Sequence, residues 1–205
     1  MTPVRGGALP WLAFTFCCLV WGSTFLFIRI GNDTLPPVWG ATLRLGIASV
    51  LLTAIALAVR APWPRGAPFT AALWFGVIDF GVSLPLLYWG EKTVPSGLAA
   101  IMYATLPLST SLFARGFGLE PLRRGTIGAA LLAIIGVSVL FSTQLSGHFS
   151  RLALAAVFLG AATASLAGVL LKRSPGAHPL WINAIAHGVG AVMCALISTA
   201  LGESH

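Results

Sequence analysis

Apolar residues run along this chain in seven long stretches, and the polar positions fall mostly in the short gaps between them. The stretches cover residues 10–30, 38–59, 69–89, 96–116, 125–142, 152–171 and 180–201. Each approaches the ~20 residues that a helix needs to cross a hydrocarbon core. The runs are continuous rather than alternating, so they predict helices and not the strands of a membrane barrel. The gaps carry turn chemistry, as in Asn32-Asp33-Thr34-Leu35-Pro36-Pro37 and Pro62-Trp63-Pro64-Arg65-Gly66. None is long enough to hold a soluble domain. The pattern predicts an all-α integral membrane protein, a polytopic bundle of about seven transmembrane helices. Arg5 precedes the first stretch as it would in a signal peptide, but the stretch is long and no A-x-A site follows, so a retained first helix is expected.

Composition sharpens this picture. Hydrophobic residues make up 57% of the chain and charged residues 8%, whereas soluble proteins carry ~25% charge. The 12 Lys and Arg outnumber the 5 Asp and Glu. They are scattered between apolar runs rather than gathered on one face, which argues against a nucleic-acid partner and for topology signals. With the N-terminus in the cytoplasm, Arg5, Arg60, Arg65, Arg115, Arg123, Arg124, Lys172 and Arg173 fall inside, and only Arg29, Lys92 and Arg151 outside. That bias predicts an N-in, multi-pass protein of the cytoplasmic membrane. Cys17, Cys18 and Cys194 all lie within apolar runs, which excludes a disulfide scaffold and a CxxC metal site. No metal and no cofactor are expected.

The chain also matches itself. Arg29-Ile30 followed by Pro37-Val38-Trp39 corresponds to Lys172-Arg173 followed by Pro179-Leu180-Trp181, an offset of about 140 residues. Five helices fit in that period, and an odd number inverts the second copy in the membrane, which is the usual build of secondary transporters.

Several motifs carry a family resemblance. Trp21-Gly22-Ser23-Thr24-Phe25 resembles the W-G-S/T-x-F signature of EamA-type transporters in the drug/metabolite transporter superfamily. Arg44 resembles the arginine near the start of their second helix. Tyr88-Trp89-Gly90-Glu91, Ser96-Gly97-Leu98-Ala99-Ala100 and Ala104-Thr105-Leu106-Pro107-Leu108 are similar to the third-to-fourth helix junction of one branch. Gly118-Leu119-Glu120-Pro121-Leu122 resembles the G-E-R-L turn, with Pro121 where arginine is more usual, and Gly128 and Gly136-Val137 fit the fifth-helix glycines. The resemblance covers residues 11–142 well and the remainder loosely. It implies ten helices in two inverted five-helix repeats, residues 1–142 forming the first and residues 143–205 two helices of the second. It also implies small-molecule transport through a central cavity, by export. The chain is therefore expected to be a fragment of a ten-helix protein, with a seven-helix homo-oligomer as the alternative.

The polar residues inside the spans are the candidates for function. Asp79 sits ten residues from each end of the third span, where a charge costs about 2.5–3.5 kcal/mol on insertion scales. It forms a stripe with Gly76 and Ser83 by helical spacing, and a long Arg44 side chain is its candidate partner. Asp79 could bind a cation or take a proton; the alternative is a structural ion pair, or an Arg44 that snorkels outward. Trp21 and Ser23 on the first helix, and Tyr103 and Pro107 on the fourth, complete the candidate cavity. The alternative for the first helix is a small-residue packing face of Thr15, Cys18, Gly22, Phe25 and Arg29. Pro107 and Pro85 could kink their helices as hinges or merely for packing. Tyr88 and Glu91 are candidates for an outer gate, the alternatives being an aromatic belt and a solvated loop charge. In the seventh span Asn183, His187, Gly190, Cys194 and Ser198 share a face expected to be buried contact.

An intramembrane enzyme is the rival class, with a receptor or scaffold behind it. No H-E-x-x-H occurs, Asp79 is the one acid deep in a span, and Gly81-Val82-Ser83-Leu84-Pro85 departs from a nucleophile elbow at its last position. The sequence therefore points to a secondary transporter of a small solute, with the lipid bilayer as its surroundings and proton coupling as a candidate, and not to an enzyme.

Overall fold

Where a chain lies in hydrocarbon, every backbone polar group must be satisfied internally, so long apolar runs close into helices. The computed structural model describes residues 8–140, 142 and 149–203 of this protein. Arg5, His205 and the stretch 143–148, where the second repeat was expected to begin, lie outside the described residues. The described chain forms seven helices and no strand. They are α1 (Ala8–Asn32), α2 (Pro37–Ala58), α3 (Ala67–Gly90), α4 (Ser96–Gly116), α5 (Arg124–Leu140), α6 (Arg151–Lys172) and α7 (Pro179–Ala200). Six are long and apolar enough to cross a membrane, and α5 is a shorter apolar helix. The chain is a multi-pass membrane protein, and each observed helix overlaps a predicted stretch.

Prolines set the local irregularities. Within α3 the segment Gly76–Ser83 is wound as a π-helix, ending just before Pro85. Pro85 has no N–H to give and its ring crowds the preceding turn; the backbone widens instead, and the Leu84 amide donates to the Asp79 carbonyl. Helix α4 breaks between Ser96–Tyr103 and Leu106–Gly116, with Pro107 in the first turn of its second half. There Thr105 turns its hydroxyl to the Met102 carbonyl at 2.6 Å.

The centre of the bundle is α2, α3, α4, α6 and α7. Helix α2 lies antiparallel along α7, the most extensive pairing in the molecule. At the N-terminal end of α7 Trp181 Nε1 donates to the Ala61 carbonyl at 2.9 Å, and Trp63 stacks edge-on against Trp181. Midway, Ser49 Oγ donates to the Ala184 carbonyl at 2.8 Å. Lipid offers no hydrophobic drive between helices, so close contact through small residues must do the holding. A Cβ placed on Gly76 would lie 2.7 Å from the Ala186 carbonyl of α7, and one on Gly160 of α6 would lie 3.0 Å from the Ser83 carbonyl of α3. By contrast α1 is peripheral, touching α4 and α2 while most of its large side chains are exposed. At the C-terminal end of α6, Lys172 pairs with Glu120, and Arg173 lies over the Phe117 ring.

Candidate functional site

A cavity of about 470 Å³ opens between α1, α2 and the C-terminal end of α3. Val20, Ser23, Thr24, Phe27, Ile28 and Gly31 line it from α1; their spacing by threes and fours is one continuous helical face. From α2 come Gly40 and Arg44, one turn apart, and from α3 Tyr88. Arg44 donates to the Tyr88 hydroxyl at 3.4 Å. Ser23 and Thr24 spend their hydroxyl hydrogens on the Val20 carbonyl, at 3.1 and 2.9 Å. No acid lines this cavity, and the one ion pair among the described residues is Lys172–Glu120. A lone arginine within a span costs about 2.5–3.5 kcal/mol on insertion scales, so its placement beside Tyr88 needs compensation.

Tyr88 is held in position by a clasp between α1 and α3. The last carbonyls of a helix lack partners within it. Asn32 Nδ2 donates to the Tyr88 carbonyl at 3.0 Å, and Arg29 donates to the carbonyls of Glu91 at 2.6 Å and Lys92 at 3.3 Å. A guanidinium is also well placed against the negative end of the helix dipole. Beneath this clasp the Glu91 side chain is 0% exposed, and neither carboxyl oxygen has a hydrogen-bond partner. Burial pushes its pKa up to about 8, against the opposing pull of Arg29, because desolvation disfavours the charged form. Beside the C-terminal end of α6 the exposed Glu120 is held below the usual carboxylate range by its hydrogen bond and charge contact with Lys172.

Several sequence expectations change here. The proposed Arg44–Asp79 pair does not form; Arg44 reaches Tyr88, and Asp79 is half-buried with no hydrogen bond or ion pair among the described residues. The stripe of Gly76, Asp79 and Ser83 is divided, because π winding takes more residues per turn than the 3.6 assumed. Gly76 faces α7, while Ser83 donates to the Gly160 carbonyl of α6 at 2.7 Å and meets the Tyr103 hydroxyl at 3.4 Å. Tyr103 stacks edge-on with Phe25 and, like Ser83, stands apart from the cavity. Trp21 is 67% exposed and lies off the lining face, and nothing lies within 4 Å of where a Gly22 Cβ would be, so neither a wall nor a close helix contact forms there. Pro107 is exposed and belongs to the break in α4, not to the cavity. Of the gate candidates, Tyr88 is 6% exposed and Glu91 0%, so neither takes its alternative place in an aromatic belt or as a solvated loop charge. On α7, Gly190, Cys194 and Ser198 are buried, and His187 bonds the Asn183 carbonyl through Nδ1 at 2.7 Å, as expected.

Sequence reasoning missed Thr24, Asn32 and Glu203. Thr24 stood inside the quoted motif and Asn32 in a gap assigned to turns, and nothing marked Glu203. The Glu203 carboxylate accepts the amides of Val38 at 3.3 Å and Trp39 at 2.9 Å and the Ser198 hydroxyl at 2.8 Å, tying the end of α7 to the start of α2. No group of three or more His, Cys, Asp or Glu able to hold a metal occurs among the described residues.

Comparison with known proteins agrees with this architecture. No solved structure matches the chain. It is 35% identical over 132 residues to the "Uncharacterized inner membrane transporter YedA" of Escherichia coli K12, covering 63% of this chain and 43% of that protein. It is 33% identical over 152 residues to the "Probable terminal-alkyne amino-acid exporter" of Streptantibioticus cattleyicolor, covering 73% and 50%. It is 32% identical over 168 residues to the "Probable amino-acid metabolite efflux pump" of Salmonella typhimurium, covering 77% and 52%. The chain thus spans about half the length of the curated relatives it matches. Residues 9–142, which include every cavity-lining residue, match the EamA-like transporter family, and the chain belongs to that family.

Proposed function

We propose that this chain acts in a secondary transporter that moves a small metabolite out across the cytoplasmic membrane. The observation that carries the reading is the cavity between α1, α2 and α3, a mostly apolar space into which Ser23, Thr24, Asn32, Arg44 and Tyr88 bring polar groups. A volume of about 470 Å³ falls within the ~300–1,000 Å³ usual for small-molecule sites. The names of two relatives specify amino-acid-type solutes and efflux, and we extend both to this chain. Family and relatives are named as transporters, so chemistry on the solute forms no part of this proposal.

The N-terminus is cytoplasmic in this reading, by the excess of basic residues it puts inside. The cavity then faces the outer half of the bilayer, with Glu91 and Tyr88 at its outer gate. Residues 1–142 form a first repeat and 143–205 contribute two helices of an inverted second one. The antiparallel pairing of α2 with α7 supports that division, because these are the second helices of the two repeats. Proton coupling is assigned to Asp79 and Glu91, whose carboxyl groups make no hydrogen bond or ion pair among the described residues. If the seven helices act without further ones, a homo-oligomer completes the transport unit.

The test is transport by the purified chain in proteoliposomes, loaded with a panel of labelled amino acids. Release above protein-free vesicles, accelerated by an imposed proton gradient, is the expected result. A chain that is folded and inserted yet releases none of the panel overturns the proposal.

A further inference from the structure

We infer that Arg44 and Tyr88 together hold an oxyanion, the carboxylate end of a small solute, in the cavity between α1, α2 and α3. The inference rests on the transport reading above and adds the chemistry of the contact.

Charge balance comes first. The cavity has one cation, Arg44, and no acid among its lining residues, and Arg44 makes no ion pair with any described residue. An arginine in a span ordinarily faces a cavity or a partner; here the cavity is present and the protein supplies no counter-charge.

A census of donors points the same way. A guanidinium carries five N–H donors, and Arg44 uses one on the Tyr88 oxygen. With its oxygen accepting from Arg44, the Tyr88 phenol keeps its own hydrogen, which no described residue accepts. The other polar groups have less to give: Ser23 and Thr24 donate to the Val20 carbonyl, and Asn32 gives one of its two amide hydrogens to the Tyr88 carbonyl. The free donors of the cavity are thus concentrated at Arg44 and Tyr88. A cluster with donors to give and no acceptor in need suits a group that only accepts, and an ionised carboxylate is that group. The hydroxyl oxygens of Ser23 and Thr24 retain acceptor capacity for a donor elsewhere on the same solute.

Phe27, Ile28 and Leu35 border the same space, and Arg44 itself remains exposed and open to a ligand; charge assistance strengthens its hydrogen bonds to an anion. Tyr88 is itself pinned by Asn32 on its carbonyl, so the phenol is positioned before a ligand arrives.

The experiment is equilibrium binding, by ligand-dependent thermal shift and by labelled-ligand dialysis, to the full chain in uncharged detergent. The probes are a panel of L-amino acids, each paired with its own carboxamide, which replaces one carboxylate oxygen by NH2 and so removes the negative charge. Wild type is expected to bind at least one acid about tenfold or more tightly than its amide. That preference falls to about one in Arg44→Gln, is reduced in Arg44→Lys, which keeps the charge but loses the planar fork, and is reduced in Tyr88→Phe. Thermal unfolding without ligand verifies that each variant folds, and Tyr88→Phe keeps the test open should Arg44→Gln fail to. Equal binding of acid and amide, a preference unchanged in the folded variants, or no binding by any acid overturns the inference. So does stabilisation by anionic phosphatidylglycerol alone, which would mark the pair as a lipid-headgroup contact. Acid-selective binding without transport keeps the oxyanion site and removes the transporter reading; transport that ignores the carboxylate does the reverse.

Discussion

The Glu203 carboxylate accepts the Trp39 amide at 2.9 Å, so a residue beyond the end of α7 caps the first turn of α2 from 164 positions away in sequence. The first amides of a helix have no partners within it, and the local residue before α2 is Pro36, which makes no side-chain cap. Replacing Glu203 by Ala should remove the bonds to Val38, Trp39 and Ser198 together. The cost is about 1–2 kcal/mol by analogy with other N-caps, read as a melting temperature lowered by a few degrees in detergent. Glu203→Gln keeps one acceptor oxygen and should lose less. A melting temperature identical to wild type in Glu203→Ala would show that the cap contributes nothing.

Glu91 makes stability depend on pH in a defined direction. Its folded pKa is raised to about 8 from an ordinary value of 4.5. The folded state therefore binds this proton more tightly than the unfolded state does. Stability from this group is full below about pH 4.5 and is lost as pH rises through about 8. Thermal melts of wild type should fall across that window, and Glu91→Gln should flatten the slope and melt above wild type at the alkaline end. A variant with the same slope as wild type would count against the buried carboxyl as its source.

Glycine positions should divide by what surrounds them. Gly76→Ala places a methyl group 2.7 Å from the Ala186 carbonyl oxygen, and overpacking of this kind typically costs about 1–3 kcal/mol. Gly22→Ala meets nothing within 4 Å and should be neutral or slightly stabilising through helix propensity. Parallel melts of the two variants check the contrast, and a Gly76→Ala protein as stable as wild type would refute the close α3–α7 approach.

Asp79→Asn tests proton coupling. If Asp79 carries the proton, the variant should lose most of the response of transport to an imposed pH gradient while still exchanging labelled solute. An unchanged pH dependence would assign the coupling elsewhere, with Glu91→Gln as the next variant to measure.

Arg44 and Tyr88 show where sequence and tertiary structure divide the work. The seven helices, their membrane setting and the approximate ends of each were legible from apolar runs and prolines, because in lipid the backbone must bond within its own segment and so local sequence decides. The family was legible from Trp21-Gly22-Ser23-Thr24-Phe25 and its companions. Arg44 and Ser23 were also readable as candidates, since polar groups in a span need a reason, and both line the cavity. The partner of Arg44 was not: periodicity gives the face a residue occupies on its own helix, but not which neighbour that face meets. Assuming 3.6 residues per turn placed Gly76, Asp79 and Ser83 together, and the π winding before Pro85 separated them. The solvated alternative for Glu91 followed from its place beside Lys92, whereas α1 folds Arg29 over that turn and the carboxyl is buried. The sequence alone thus determined which segments are helices, because that choice is local. Only the tertiary structure decided which side chains share a space, because that depends on contacts between segments far apart in the chain.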